Sequence, residues 1–252
     1  MKENFLTIAS YNLFWKIMNH ENCPIELKKY INVYEYKENI LSNILNTYNY
    51  LNPNIFCFQE ASDYKSILLI FNKKKYKYHI NISDKDVLLT VWDITYLKLI
   101  KFIDGEFEQG RPFTIFLFLN LKFSKYFIFI NVHASHNNNT FNNFFKPIQK
   151  ELNNNFDKFK IKRIIISGDF NRDINLELKK NNYYLKINDK KKNFKSNIND
   201  NKTCCDIFNK KYQYNSDQVI DTKSKEIKTF LLDKFNWYKR KSSDHKMILS
   251  IV

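Results

Sequence analysis

The chain is poor in glycine, proline and cysteine. Its 252 residues include 3 glycines, 4 prolines and 4 cysteines. Fibrous and disordered proteins depart from this composition, because they are rich in glycine, proline or charge. The cysteines include the adjacent pair Cys204 and Cys205 and have no Cys-x-x-Cys spacing, so we predict neither a disulfide scaffold nor a zinc site. We expect a reducing compartment, cytoplasmic or nuclear.

Long apolar segments are also missing. The longest runs, around Phe113–Leu121 and Phe127–Val132, are shorter than the roughly 18 residues of a membrane-spanning helix. The first residues include Glu3 and lack the apolar core of a secretory signal peptide. We therefore expect an intracellular protein with no stable membrane insertion, and a monomer.

The chain is rich in bulky residues and positive charge. Hydrophobic residues make up 44%, aromatic residues 17%, and the formal net charge is +15. A chain of this size and composition can bury a large core, and we predict one domain spanning residues 1–252. The charge favours a polyanionic partner such as DNA or RNA. That argument is a mild one, because A/T-rich codons alone would give much lysine and asparagine.

Hydrophobic periodicity predicts a mixed α/β protein. Three segments have helical spacing: Lys37–Leu51, Tyr64–Phe71 and Phe144–Phe159. The polar segment Asn188–Asp200, with Lys190–Lys192 near its start, predicts an exposed loop. Strands are predicted at ten apolar runs: Phe5–Ala9, Ile55–Phe58, Tyr76–Ile82, Val87–Val91, Tyr96–Phe102, Phe113–Leu121, Tyr126–Val132, Ile164–Ser167, Val219–Thr222 and Met247–Val252.

Polar side chains stand at the ends of several predicted strands. Singly, each is typical of a turn residue or cap. Together they offer carboxylates for a hard cation, histidines that titrate near neutrality, and amides that can hold phosphate oxygens. Metal-assisted phosphoester hydrolysis needs these groups. They are Asn12, Glu60, His133, Asp169, Asn171, Asp244 and His245.

These motifs, in this order along nearly the whole chain, resemble those of the endonuclease/exonuclease/phosphatase superfamily. The most specific are the Gly-Asp-Phe-Asn of residues 168–171 and the Ser-Asp-His of residues 243–245. The resemblance implies a four-layer α/β sandwich, in which two mixed β-sheets pack face to face with helices outside. It also implies Mg²⁺-dependent hydrolysis of a phosphodiester, with Mn²⁺ as a possible substitute for Mg²⁺.

The resemblance also implies a role for each motif residue. Glu60 matches the principal metal ligand, and Asn12 and Asp244 match residues that help to form the metal site. Asp169 and Asn171 match the pair that orients the attacking water and contacts the scissile phosphate.

Two further catalytic assignments come from the C-terminal third of the chain. His245 matches the family's catalytic histidine, which acts either as a general base or as a cation that stabilises the phosphate. Asp217 is similar to the aspartate of the family's Asp-x-apolar-apolar strand. Thr203 suits the threonine-containing segment often found just upstream.

His133 and Phe14 bear on the subgroup. His133 matches a histidine of DNase I, the sphingomyelinases and the phosphodiesterases, where apurinic endonucleases carry a tyrosine. Apurinic endonucleases have an aspartate in place of Phe14, so both positions count against an abasic-site enzyme. Asp86 is a possible carboxylate partner for His133, although a solvated residue at the start of a strand is the favoured interpretation.

Other candidates keep two interpretations open. Arg111 either holds a phosphate oxygen of the substrate or forms a salt bridge at the edge of a sheet. Arg172 and Asp173 resemble an Arg-Asp pair of the tyrosyl-DNA phosphodiesterases, and His136 either assists His133 or is exposed. Some aromatic residues can stack on bases, although most are expected in the core; these are Trp15, Trp92, Trp237 and Tyr238.

Nucleic acid is the expected substrate, as DNA, RNA or a protein–DNA adduct. A phosphoinositide or sphingomyelin phosphoesterase is the alternative within hydrolases, since the same basic surface would attract an anionic membrane. A catalytically silent protein that only binds nucleic acid is the alternative outside them.

Overall fold

The computed structural model describes residues 5–19, 23–29, 31–107, 110–135, 141–172, 177–178, 183–188, 190–196, 203, 216–223, 227–239 and 241–252. Within these residues the helices are α1 (Trp15–Met18), α2 (Ile25–Lys28), α3 (Val33–Tyr50), α4 (Tyr64–Leu68) and α5 (Phe141–Phe156). The strands are β1 (Thr7–Asn12), β2 (Ile55–Gln59), β3 (Tyr76–Ile82), β4 (Val87–Asp93), β5 (Leu97–Glu106), β6 (Pro112–Asn120), β7 (Lys125–His133), β8 (Ile164–Asp169), β9 (Tyr184–Ile187), β10 (Lys190–Asn193), β11 (Lys195–Ser196), β12 (Asp217–Asp221), β13 (Lys228–Leu231) and β14 (Ile248–Ile251).

The described strands form two six-stranded mixed sheets and one two-stranded hairpin. The first sheet has the order β13-β14-β1-β2-β4-β3, and the second β11-β12-β8-β7-β6-β5. Each sheet has one parallel pair near its centre, β1 with β2 and β7 with β8, while its other pairs are antiparallel. The strands of a parallel pair end at the same edge of their sheet, so each pair can present two loop residues side by side.

Three clusters of buried side chains separate four layers. Phe116, Phe118 and Phe129 fill the space between the two sheets. Ile40 and Ile44 of α3 pack on the outer face of the first sheet, and residues of α5 pack on the outer face of the second. The predicted four-layer α/β sandwich, with two mixed sheets face to face and helices outside, is confirmed.

Helix α3 illustrates how the sequence specifies an outer layer. The side chain of Asn32 caps its first turn by accepting a hydrogen bond from the backbone N–H of Glu35 at 3.2 Å. Ile40 and Ile44 are one turn apart, so both point to the sheet and both are fully buried. No described helix has the length and apolarity needed to span a membrane.

All ten predicted strands and the three predicted helices have counterparts, with boundaries shifted by a few residues. The predicted exposed loop over Asn188–Asp200 is exposed at most of its described residues, but its loop conformation is wrong, because these residues form strands. Lys190–Asn193 pairs with Tyr184–Ile187 as a hairpin, and Lys195–Ser196 pairs with β12. Leu185 and Ile187 of this hairpin are buried in the same cluster as α5, which lysine-rich composition alone does not reveal. Residues 197–200 lie outside the described residues.

Candidate active site

The two central parallel pairs bring four polar residues together at one edge of the sandwich. Asn12 ends β1, Glu60 follows β2, His133 ends β7 and Asp169 ends β8. The Asn12 amide nitrogen donates to Asp169 Oδ2 at 2.8 Å and lies 3.4 Å from Glu60 Oε1. One hydrogen-bonded group therefore joins the edges of the two sheets.

Gly168 allows β7 and β8 to approach closely just before Asp169. Its φ is +142°, and a Cβ added there would lie 2.0 Å from the carbonyl oxygen of Val132. A side chain would push the two strands apart at the point where His133 and Asp169 face each other in register. This contact explains why a glycine precedes the aspartate in the Gly-Asp-Phe-Asn motif.

Two residues with left-handed backbone meet at the metal-ligand candidate Glu60. Glu60 has φ 56° and Phe14 has φ 59°, a conformation that costs free energy for residues with a side chain. The backbone N–H of Trp15 donates to Glu60 Oε2 at 2.6 Å and so connects the two turns. The strained turns fix the carboxylate of Glu60, and they leave Trp15 beside it with 42% of its surface exposed.

His245 and Asp217 form one buried pair. His245 Nδ1 donates to Asp217 Oδ2 at 2.7 Å, and His245 Nε2 lies 3.7 Å from Asp169 Oδ2. Burial opposes protonation of His245, but the carboxylates of Asp217, Asp169 and Asp244 outweigh it and hold the pKa of His245 well above its usual value. The imidazole is therefore a cation at neutral pH that faces Asp169.

His133 and Asp86 form a second buried pair. His133 Nδ1 lies 2.5 Å from Asp86 Oδ2, and His133 Nε2 lies 3.7 Å from Asp169 Oδ2. Burial opposes protonation here too, yet the Asp86 carboxylate raises the pKa of His133. The interpretation of Asp86 as a solvated residue is wrong: it is only 8% exposed, because His133, 47 residues later, holds it in the interior.

Arg111 lies next to this second pair. Its Nη1 is 3.1 Å from His133 Nδ1 and 3.8 Å from Asp86 Oδ2. When His133 Nδ1 donates its proton to Asp86, Nδ1 and Arg111 Nη1 are both N–H donors and cannot hydrogen-bond to each other. The favourable contact of Arg111 is therefore the one with the Asp86 carboxylate. The predicted salt bridge of Arg111 exists within the site, and its predicted contact with a phosphate oxygen stays a prediction.

Asp169 is where the two pairs meet. Its Oδ1 accepts from the Asn171 backbone N–H at 2.8 Å, and its Oδ2 accepts from Asn12. Burial raises the pKa of this carboxyl, but His245, His133 and these hydrogen bonds outweigh burial and lower it. Asp169 is therefore ionised at neutral pH. The side-chain amide of Asn171 donates to the Ala134 carbonyl oxygen at 2.6 Å, which fixes its orientation.

The site has more negative than positive charge. Five carboxylates face two imidazoles and one guanidinium, so negative charge is in excess even with both imidazoles protonated. Burial raises the pKa of Glu60, Asp217 and Asp244, as expected where a cation is needed to hold carboxylates ionised. The five carboxylates belong to Glu60, Asp86, Asp169, Asp217 and Asp244.

The donor set fits a hard divalent cation. Asp169, Asp217 and His245 bring one possible ligand atom each within 4.8 Å of one another. However, His245 Nδ1 already bonds to Asp217, and imidazole is a poor ligand for Mg²⁺. Glu60 is the better candidate, because its Oε1 has no hydrogen-bond donor closer than the amide of Asn12 at 3.4 Å among the described residues.

Solved structures with the same fold are known, although no protein-family model and no curated protein matches the sequence. An endonuclease/exonuclease/phosphatase family protein from Bacteroides thetaiotaomicron superposes with a TM-score of 0.64 at 14% identity, over 98% of this chain and 97% of that chain. The chain has the endonuclease/exonuclease/phosphatase fold. Humanized D. rerio TDP2 matches with a TM-score of 0.61 at 12% identity, covering 98% of each chain.

A third similar structure is named for a sugar phosphate. A mannosyl-6-phosphatase from B. thetaiotaomicron matches with a TM-score of 0.65 at 14% identity, over 98% of this chain and 99% of that chain. Because one structure with this fold is named for a sugar phosphate, the fold alone does not select nucleic acid as the substrate.

The endonuclease/exonuclease/phosphatase fold brings nearly all the predicted site residues together. Of the aromatic candidates, Trp92 and Tyr238 are buried in the core, Trp237 is half-buried, and Trp15 is at the site. Arg172 lies 3.7 Å from Glu177. The remaining candidates, His136 and Asp173, lie outside the described residues, as do Cys204 and Cys205.

Two supporting residues of the site have weak or no sequence signals. Thr203 Oγ1 accepts the backbone N–H groups of Ser216 and Asp217, and so fixes the start of β12. Ser243 donates to the carbonyl oxygen of Asn12 at 2.7 Å and accepts the backbone N–H of His245. The sequence predicts no structural role for Ser243, although it begins the Ser-Asp-His motif, because its partner Asn12 is 231 residues away.

Proposed function

We propose that the protein is a Mg²⁺-dependent phosphodiesterase that acts on nucleic acid, as a nuclease or a DNA-end phosphodiesterase. The observation that carries the proposal is the convergence of two Asp-His pairs, each with Nε2 3.7 Å from the same oxygen of Asp169. A protein that only binds nucleic acid has no physical need for two oriented imidazoles around a buried, ionised carboxylate.

Each residue of the site has a role in this reaction. Asp169 is ionised and accepts a proton from the attacking water, and hydrogen bonds from Asn171 and Asn12 hold its carboxylate in place. His245 is a cation and stabilises the negative charge that develops on the phosphoryl oxygens. His133 holds a proton at Nε2 that can pass to the leaving oxygen.

A divalent cation held by Glu60, with Asn12 and Asp244 nearby, would supply Lewis-acid stabilisation of the phosphate when bound. Burial raises the pKa of the Glu60 carboxyl because it disfavours the charged form. A bound cation would offset this effect and favour the ionised carboxylate. The turn at Trp15 keeps the Glu60 carboxylate in place.

Charge and an aromatic surface support a nucleic-acid substrate. The net charge is +15, which favours a polyphosphate over a single sugar phosphate. Trp15 presents an exposed indole one hydrogen bond from Glu60, where a base or a tyrosyl ring next to the scissile phosphate can stack.

Nicking of supercoiled plasmid by the purified protein tests the proposal. We expect nicking in Mg²⁺, no nicking in chelator, and loss of nicking in His245→Ala. Folded protein that leaves the plasmid intact would contradict a plain endonuclease. The same comparison, with Mg²⁺ or chelator and with His245→Ala as the control, is then made with 5′-tyrosyl DNA ends, RNA and phosphoinositides as substrates. Hydrolysis of phosphoinositides alone would overturn the proposal of a nucleic-acid substrate.

A further inference from the structure

A small cavity lies at the end of the sandwich opposite the active site. Its volume is about 60 Å³, and Lys125, Lys162, Arg163 and Lys223 contribute to its lining. Lys125 begins β7 and His133 ends it, so at about 3.3 Å per residue the two are roughly 26 Å apart. Arg163 likewise precedes β8, which ends at Asp169. The cavity is therefore separate from the site described above.

Of the four cationic residues that line this cavity, only Arg163 forms an ion pair with a described carboxylate. Arg163 is bound to Asp221, with its Nε 3.0 Å from both carboxylate oxygens and its Nη2 2.6 Å from Oδ2. Asp221 is fully buried and its charge is neutralised by this bidentate contact. Lys125, Lys162 and Lys223 are in none of the ion pairs between described residues. Three exposed lysines that are in no ion pair with a described residue thus contribute to the lining of one cavity.

The size of the cavity and the cationic residues in its lining can accommodate a phosphate group, while the rest of the lining is largely apolar. A cavity of roughly 10–15 Å³ already holds a water molecule, so one of about 60 Å³ has room for a phosphate. Lysine ammonium groups bind phosphate as point charges, and Arg163 keeps Nη1, which has no acceptor among the described residues. Phe123 and Tyr126 add an aromatic wall to the same cavity.

We propose that this cavity is a second anion site, which binds a phosphate group on Lys125, Lys162 and Lys223. The phosphate is either the free ion or part of a nucleotide whose base lies against Phe123 and Tyr126. The inference does not rest on the proposed hydrolysis, because the cavity shares no residue with the active site.

Equilibrium dialysis of the full chain with labelled inorganic phosphate and labelled AMP tests this site. Chelator keeps the carboxylate-rich active site free of metal and therefore unattractive to anions. The test variant is Lys162→Gln with Lys223→Gln, and the matched control is Lys28→Gln with Lys29→Gln. All four lysines are exposed, so neither double variant is expected to disturb folding.

We expect the test variant to bind phosphate at least about tenfold more weakly than wild type, and the control variant to bind within twofold. AMP binding tighter than phosphate would identify a nucleotide as the ligand, and equal binding would identify the free ion. Wild-type protein that binds neither probe, or a test variant that binds as tightly as wild type, would overturn the proposal. Plasmid nicking gives an independent readout, and the test variant should retain its rate if the protein is a nuclease.

Discussion

The two Asp-His pairs of the candidate active site have similar geometry and different surroundings. Each joins Nδ1 to a buried carboxylate and puts Nε2 3.7 Å from Asp169 Oδ2. Three carboxylates act on each imidazole, but the cation of Arg111 lies 3.1 Å from His133 Nδ1, whereas the carboxylate of Asp244 lies 4.0 Å from His245 Nε2. Burial opposes protonation of both imidazoles, and the carboxylates around each raise its pKa nonetheless. Two similar pairs can thus serve as a fixed cation and as a proton donor.

Among these predictions, removal of either imidazole should lower the catalytic rate most. We expect His245→Ala and His133→Ala each to lower kcat by about 10²–10⁴-fold, because each removes a group that acts on the transition state. The measurement is single-turnover cleavage of an oligonucleotide in saturating Mg²⁺.

His79→Ala is the matched control for both variants. His79 also pairs with an aspartate, at 3.0 Å from Asp104, but this pair joins β3 to β5 away from the site. The kcat of the His79→Ala variant should remain within a few-fold of that of wild type. Full activity of His133→Ala would show that the two pairs are not both catalytic.

The carboxylate of each pair should make stability depend on pH. A histidine whose pKa is raised on folding contributes stability that is fully present below the unfolded value of about 6.5 and is lost as pH rises through the folded value. In chelator, Asp217→Asn should therefore lower the free energy of unfolding by about 3–5 kcal/mol at pH 6 and by less at pH 9. Asp86→Asn should show the same sign with a smaller difference.

Urea unfolding at the two pH values measures these differences. If Asp217→Asn lowers the free energy of unfolding more at pH 9 than at pH 6, His245 is neutral in the folded protein. Asp104→Asn, in the distant His79 pair, serves as the control.

Mg²⁺ should stabilise the folded protein and act more on one pair than on the other. At 100 times its Kd, a bound ion adds about 2.7 kcal/mol to the free energy of unfolding. Glu60→Gln should abolish the rise in Tm, while the exposed Glu38→Gln should retain it. His133 Nε2 lies 3.8 Å from Glu60, so Mg²⁺ should also lower the pKa of His133 more than that of His245 in an NMR titration. An equal rise in Tm for Glu60→Gln would assign the cation elsewhere.

Substitution of Arg111 should change activity least, and it should change the pKa of one histidine and not of the other. We expect Arg111→Gln to raise KM by roughly three- to tenfold through loss of a phosphate contact. It should also raise the pKa of His133 and leave that of His245 unchanged, because Arg111 is next to His133 alone of the two. An unchanged KM would restrict Arg111 to its contact with Asp86.

The sequence was sufficient for the longer strands and helices and for the motif residues, and insufficient for the short elements and for some partners of the motif residues. The apolar runs that became β6 and β7 are buried over most of their length, so their pattern alone predicts strands. Asp86 shows the limit: whether a strand-start aspartate is solvated or buried depends on His133, which is distant in sequence. Lys190–Asn193 shows another, since its hydrogen bonds to Tyr184–Ile187 override a composition typical of loops.

The joining of Asn12 to Asp169 has a consequence for how the protein folds. These residues are 157 positions apart, and each must first be fixed by a parallel strand pair with its own long connection. Contacts between residues so distant in sequence form slowly, because loop closure costs entropy before the contact repays it. Catalytic competence should therefore return late in refolding, after most of the secondary structure, and cleavage activity would report completion of both sheets.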